Sequence, residues 1–301
     1  MDRKYNPGAG VGTNKLEISL EKNGEQSGNQ SGDLMGDLTG RVAIVTGGAT
    51  GIGRAIGIKM AEVGADIVVS DIDADACQRT ATEIAAIGVR SVGIPANVTD
   101  PEAVSRMVSE TISQFGKIDV LVNNAGVAGA PGWFEHDTSR EEDWTFTFGV
   151  NVKGMAIMTE AVIPHMKSAG FGKIVNLASI AGRQGRPSLP HYSATKAAVI
   201  NYTQSLANEL GRDNINVNAV CPGLLWTPMW EQVGARYVLA NPEYEGLTAR
   251  QVFDRTVQDI MPLGREQTPG DIGDAIVFLV SEDARNITGQ SLNVDGGAYL
   301  N

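Results

Sequence analysis

The stretch "RVAIVTGGATGIGRAIGIKMAEV", Arg41 to Val63, passes from a β-branched run into glycines and then into an apolar-periodic segment. The run predicts a buried strand, and the periodicity from Ile52 to Val63 predicts a helix. Between them Gly47, Gly51 and Gly53 stand at T-G-x-x-x-G-x-G spacing. Glycines let backbone approach a pyrophosphate closely, and a helix N-terminus offers free N–H groups and a positive dipole. Purely structural turns also use glycine. A strand before it and a helix after it are the context that turns this one into a phosphate cradle.

The same alternation continues outward. "ADIVVSD" (Ala65 to Asp71) reads as a second strand, followed by a helix across Ala74 to Ala86, and "RSVGIPANV" as a third strand. Asp100 with Pro101 then has the cap-and-proline form of a helix start. "KIDVLVNNAG", "GKIVNLAS", "NINVNAVCPG" and "QSLNVDGG" supply four more strands. Strands alternating with helices imply right-handed crossovers and a doubly wound parallel α/β sheet, covered on both faces, in a single domain. Residues 1–36 differ: "NGEQSGNQSGDLMG" has little to bury and reads as a flexible arm. Within it, "KLEISLE" (Lys15 to Glu21) alternates like a short strand. The domain proper is expected over 37–301, with an irregular insertion at about 226–263.

Composition narrows the partners. The chain has 301 residues, 42% hydrophobic and 20% charged, with 24 basic against 35 acidic side chains and a net charge of -11. That balance argues against a nucleic-acid or anionic-membrane surface, both of which reward clustered Lys and Arg. Cys77 and Cys221 lie far apart, and no His or Cys cluster has metal-ligand spacing, so no metal is expected. A reduced, cytoplasmic protein is the natural reading.

Asp71 ends the second strand, where a carboxylate can accept hydrogen bonds from both adenosine ribose hydroxyls and would repel a 2′-phosphate. Ile72 follows it, so no adjacent cation offsets that repulsion, and Arg54 can lie on the helix surface. NAD is therefore expected over NADP. Farther on, "HYSATKAAVINY" (His191 to Tyr202) sets Tyr192 and Lys196 one helical turn apart on a shared face. A lone pair of this kind is usually an exposed surface pair, but here Ser179 ends the fifth strand upstream.

With these residues the chain resembles the short-chain dehydrogenase/reductase family, in its compact single-domain subclass. The resemblance covers about Leu38 to Asn301 and rests on "TGGATGIG", "NNAG" (Asn123 to Gly126), Asn151, Ser179, "YSATK" and "PGLLWTPM" (Pro222 to Met229). It implies a Rossmann fold and hydride transfer between an alcohol and NAD. Tyr192 would be the acid/base, with Lys196 lowering its pKa and holding the nicotinamide ribose. Ser179 would bind the substrate oxygen, and Asn151 would hold a water linking Lys196 to solvent. Asn97, Val98, Asn124, Ala125 and Gly126 would line the cofactor beside Thr50, Ile52, Gly53 and Ile72. Pro222, Gly223, Leu225 and Thr227 would border the nicotinamide. Asn97 departs from the aspartate usual in the family.

The segment from Trp226 is the least family-like and is expected to lid the site. Trp226, Met229 and Trp230 could wall a substrate pocket or simply bury the insertion, and Gln184 and His191 could touch a polar substituent. The expected function is NAD-dependent oxidation of a secondary alcohol or polyol to the ketone. A 3-oxoacyl thioester reductase is the alternative, kept open by Arg183 and Arg186. A non-catalytic NAD-binding protein would be expected to have lost Ser179, Tyr192 or Lys196. The apolar face of the helix after Tyr192, together with the short last strand, points to a homotetramer.

Overall fold

In β1 (Val42–Thr46) every residue is buried, because the strand lies in mid-sheet with helices on both faces. Full burial of each such aliphatic side chain is worth roughly 1.5–3 kcal/mol, which is why the run shows no polar alternation. The computed structural model describes residues 36–300. The expected arm, its short strand and the terminal Asn301 lie outside the described residues, except Gly36, whose N–H donates to Asp283 Oδ2 at 3.0 Å.

From β1 the chain forms α1 (Gly51–Glu62), β2 (Asp66–Ser70), α2 (Ala74–Ala85), β3 (Ser91–Gly93), α3 (Pro101–Phe115) and β4 (Val120–Asn123). It continues through α4 (Glu141–Phe148), α5 (Met155–Ala169), β5 (Gly172–Leu177), α6 (Pro190–Leu210) and β6 (Ile215–Pro222). The last elements are α7 (Pro228–Ala240), α8 (Ala249–Ile260), α9 (Pro269–Val280) and β7 (Ser291–Val294). The sheet order is β3-β2-β1-β4-β5-β6-β7, and every neighbouring pair is parallel. The chain therefore reverses direction across the sheet between β1 and β4, which opens a crevice at the carboxyl ends of the strands.

Two apolar layers enclose the sheet. One gathers Ile56, Met60, Ile84, Ile272 and Ile276 from α1, α2 and α9, and the other Val104, Met107, Met158, Val162 and Leu206 from α3, α5 and α6. The helix ends follow their sequence signals. Asp100 accepts from the backbone of Glu102 at 2.9 Å and Ala103 at 3.2 Å, with Pro101 in the first turn and left-handed Gly116 closing the helix.

One sequence expectation changes. The insertion at 226–263 is not irregular, since it contains α7 and α8, each started by a threonine whose hydroxyl accepts a backbone N–H. Between α4 and α5 a π-helical segment at Gly149–Gly154 carries Asn151, a detail that no expectation covered. Cys77 and Cys221 are free and buried, and no described helix is long and apolar enough to cross a membrane.

Candidate active site

The glycine turn lies at the switch point between β1 and β4. Gly53 packs so closely that a Cβ there would come within 2.1 Å of the Gly47 carbonyl oxygen. Gly51 instead adopts a φ of +53° with open space beside it. Asn124 pins the turn from the neighbouring strand: its Nδ2 donates to the carbonyls of Thr46 and Gly47, each at 2.9 Å. At the start of α1, Thr50 makes no side-chain cap and no acidic residue occupies the first turn. The helix N-terminus thus keeps N–H groups and positive dipole for an anion, so the turn fits the pyrophosphate of a dinucleotide.

Asp71 stands beside this turn. Its Oδ2 accepts from Ala49 N at 3.3 Å and its Oδ1 from Ile72 N at 2.8 Å, which orients the carboxylate at the cleft. Ile72 is 77% exposed there. Arg54 is turned away onto Glu83, its Nε donating to Oε2 at 2.7 Å and its Nη2 to Oε1.

One cleft of about 1080 Å³ joins this turn to Ser179, Tyr192 and Lys196. Of the residues the sequence singles out, Gly47, Thr50, Gly51, Ile52, Gly53, Asp71, Ile72, Asn97 and Val98 line it, as do Asn124, Ala125 and Gly126. Pro222, Gly223, Leu225, Thr227, Met229 and Trp230 line its other side. Two elements bring the reactive groups together: Ser179 follows β5, while Tyr192 and Lys196 ride the start of α6. Gly182 permits the approach, since a Cβ there would meet the Lys196 carbonyl carbon at 2.6 Å.

Tyr192 and Ser179 face the same cleft, and although the Ser179 hydroxyl acts to lower the phenol's pKa, burial pushes it up to about 12. Lys196 Nζ donates to the Leu177 carbonyl at 2.6 Å and lies 5.6 Å from the Tyr192 ring centroid. Burial pulls this ammonium down to about 8. In the cofactor-free protein burial thus outweighs the expected depression of the tyrosine. Desolvation outweighs a neighbour whose own charge is disfavoured.

Three further expectations are corrected, those for Gln184, Trp226 and His191, and the contacts of Asn151 are defined. Asn151 does not line the cleft; its Nδ2 donates to Val127 O at 2.9 Å and Thr195 Oγ1 at 3.1 Å, while its Oδ1 accepts from Val127 N at 2.8 Å. It ties the loop after β4 to the helix that carries Lys196. Gln184 is exposed and off the cleft. Trp226 packs edge-on against Phe253 and under Arg250, away from the cleft, so it buries α8 and forms no part of the pocket wall. His191 is fully buried, its ring between Ala128 O at 2.7 Å and Ser139 Oγ at 2.9 Å, so it joins loops instead of meeting substrate.

Sequence reasoning missed Leu189, Val233, Tyr237 and Ile260, which complete an apolar wall with Met229 and Trp230. A signal was present. Met229, Trp230, Val233 and Tyr237 recur at helical spacing behind Thr227 and Pro228, a helix-start pair.

Comparison with known proteins agrees with this geometry. A family model described as enoyl-(acyl carrier protein) reductase matches residues 47–299. The BbsD subunit of (2S)-[(R)-hydroxy(phenyl)methyl]succinyl-CoA dehydrogenase from Thauera aromatica is 41% identical over 260 residues, covering 86% of this chain and 97% of that protein. A 3-oxoacyl-[acyl-carrier-protein] reductase from Thermotoga maritima is 36% identical, covering 86% and 98%. The crystal structure of an NAD+-bound xylitol dehydrogenase superposes with a TM-score of 0.80 at 31% identity, covering 86% of this chain and 99% of that one. The glycine turn, the Ser179–Tyr192–Lys196 cluster and these relatives together show that the chain belongs to the short-chain dehydrogenase/reductase family, oxidoreductases acting on CH–OH groups.

Proposed function

We propose that the protein oxidises a secondary alcohol to a ketone with NAD, Tyr192 taking the hydroxyl proton. The observation that carries this reading is that Ser179, Tyr192 and Lys196 line the same cleft as the glycine turn. When bound, oxidised nicotinamide would supply the hydride acceptor. Ser179 holds the substrate oxygen and stabilises charge developing on it. Tyr192 accepts the hydroxyl proton, and Lys196, anchored on the Leu177 carbonyl, favours the phenolate and holds the ribose. Asn151 acts from behind, fixing the Val127 loop against Thr195 and so the floor on which Lys196 sits.

NAD is favoured over NADP by two features acting together. Asp71 holds a carboxylate beside the glycine turn, which would repel a 2′-phosphate, and Glu83 occupies Arg54, a cation that could otherwise offset it. Within the alcohols, the wall of Leu189, Met229, Trp230 and Val233 favours a carbinol with an apolar substituent over a polyol. A tetramer is supported by half-exposed Ile200 and Tyr202 on α6 and by Leu292, 40% exposed on edge strand β7.

Reduction of a 3-oxoacyl thioester is the second reading. It is favoured by the thioester substrates named for the two curated relatives and by the apolar wall. The experiment is a panel of secondary alcohols, polyols and 3-hydroxyacyl thioesters, each assayed with NAD and with NADP for reduced nicotinamide. Turnover of apolar carbinols with NAD is the expected result. Turnover confined to thioesters with NADP would select the second reading.

A further inference from the structure

Two arginines follow Ser179 and end differently. Arg183 donates from Nε to Asn293 Oδ1 at 3.0 Å and from Nη2 to the Ser291 carbonyl, so it is committed to strand β7. Arg186 has its backbone N–H on Ser193 Oγ at 3.0 Å, which fastens it to the first turn of α6, beside Tyr192. Its side chain is half-buried and lines the cleft, with the guanidinium over the Tyr299 ring at 5.4 Å from the centroid. Tyr299 is itself held in place, its N–H donating to Asp295 Oδ2 at 2.8 Å. A ring beneath a guanidinium fixes its plane and leaves its N–H edges for a partner.

Among the described residues Arg186 is the one arginine that lines the cleft, and it enters no ion pair there, whereas Arg250 and Arg255 on neighbouring α8 both do. The other charged groups on the cleft do not answer it. Asp71 is oriented by the glycine turn, Lys196 is anchored on Leu177, and Asp259 stands 3.8 Å from Arg255. A partly desolvated cation facing a ligand cleft without a counter-ion is matched best by an anion on the ligand.

We propose that Arg186 binds a carboxylate of the substrate, and that the substrate is a hydroxy acid. One arm of its carbinol carries the carboxylate, and the other carries an aryl or branched apolar group that meets Met229, Trp230 and Val233. This rests on the oxidation proposed above. The carbinol C–H gives its hydride to NAD and the O–H its proton to Tyr192, leaving a keto acid with its carboxylate unchanged. Arg186 fixes which way round the carbinol enters and so which face of it meets the hydride acceptor.

The test compares wild type, Arg186→Gln and Arg186→Lys on 3-hydroxy-3-phenylpropionate, its methyl ester and its coenzyme A thioester. Binding of the unreactive 3-phenylpropionate and 3-phenylpropanamide is followed in parallel by tryptophan fluorescence, which Trp230 on the cleft reports. Losing a charge-assisted hydrogen bond should lower kcat/KM for the free acid by about tenfold or more beyond any loss for the ester, with Lys restoring part of it. Wild type should bind 3-phenylpropionate about tenfold tighter than the amide, and Gln should erase that preference. Equal losses for acid and ester would overturn the proposal. So would a loss confined to the coenzyme A thioester, which would assign the cation to a phosphate, or a wild type that binds acid and amide alike. If wild type prefers the acid over the amide yet oxidises none of the carbinols, the oxidation reading fails and the carboxylate site stands.

Discussion

The two halves of the cleft are built from different material. Around the glycine turn the walls are backbone: Gly53 against the Gly47 carbonyl, Asn124 bridging two carbonyls, and the open N-terminus of α1. Around α7 and α8 they are side chains, with Met229, Trp230, Val233 and Ile260 projecting from helices. A backbone wall has one geometry, and adding a single methyl disrupts it. A side-chain wall can be retuned one residue at a time, so the first half sets the cofactor and the second sets the substrate.

The largest difference between the halves should come from Gly53→Ala. The added Cβ would lie 2.1 Å from the Gly47 carbonyl oxygen, so the turn must move. Overpacking of this kind costs roughly 1–3 kcal/mol, and NADH affinity measured by fluorescence titration should fall about tenfold to a hundredfold. Normal affinity would mean that the turn is not a phosphate cradle. Met229→Ala should do the converse. It should raise KM for an apolar carbinol by about tenfold while leaving NADH affinity unchanged, since removing buried methylenes from a pocket costs about 1–3 kcal/mol. Paired losses in both measurements would erase the distinction between the halves.

Asp71→Ala should narrow the preference for NAD over NADP by about tenfold, the value of a charged hydrogen-bond acceptor. Adding Glu83→Gln, which releases Arg54, should narrow it further. A wild type that turns over faster with NADP at equal concentration would overturn the assignment of Asp71 outright.

The smallest effect is on stability. Burial depresses Lys196 to about 8 in the folded, cofactor-free protein, against 10.5 unfolded. Between these values the unfolded chain binds the extra proton, so this site's contribution to stability rises with pH from about 8 to 10.5 and is constant at its lowest value below 8, where both states are protonated. Tyr192, raised to about 12, acts in the opposite sense above pH 10, where the folded state holds its proton more tightly. Lys196→Met should therefore stabilise the cofactor-free protein in urea at pH 7, and its advantage should shrink by pH 10. A constant advantage across that range would assign the effect to packing instead of charge.

These differences also explain what could be read from the chain. The β-branched run at Val42–Thr46, the glycine spacing and Asp100–Pro101 are local signals with one structural meaning each. The path of Lys196 Nζ to the Leu177 carbonyl had no such signal, because it depends on β5 and α6 meeting at Gly182. Trp226 and Met229 look alike in sequence, yet Thr227 starts α7 between them and sends one toward Phe253 and the other toward the cleft. The two α7–α8 helices were masked by their Gly, Asn and Pro content, although Thr227–Pro228 and Thr248 with Gln251 carried their caps. The rise in the Tyr192 pKa followed from burial, which a spacing of four residues does not report.

The most direct test of Tyr192 as the proton acceptor in NAD-dependent alcohol oxidation is isotope transfer. Wild type and Tyr192→Phe are incubated with NAD and a secondary alcohol, such as 1-phenylethanol, deuterated at its carbinol carbon. The label in reduced nicotinamide is then followed by mass spectrometry, with NADH binding measured alongside. Wild type should move deuterium to the nicotinamide. Tyr192→Phe should bind NADH almost normally yet transfer the label at least about a hundredfold more slowly, as expected when a general base is lost. Unlabelled reduced nicotinamide from wild type, or a Tyr192→Phe variant that transfers label at close to the wild-type rate, would contradict it.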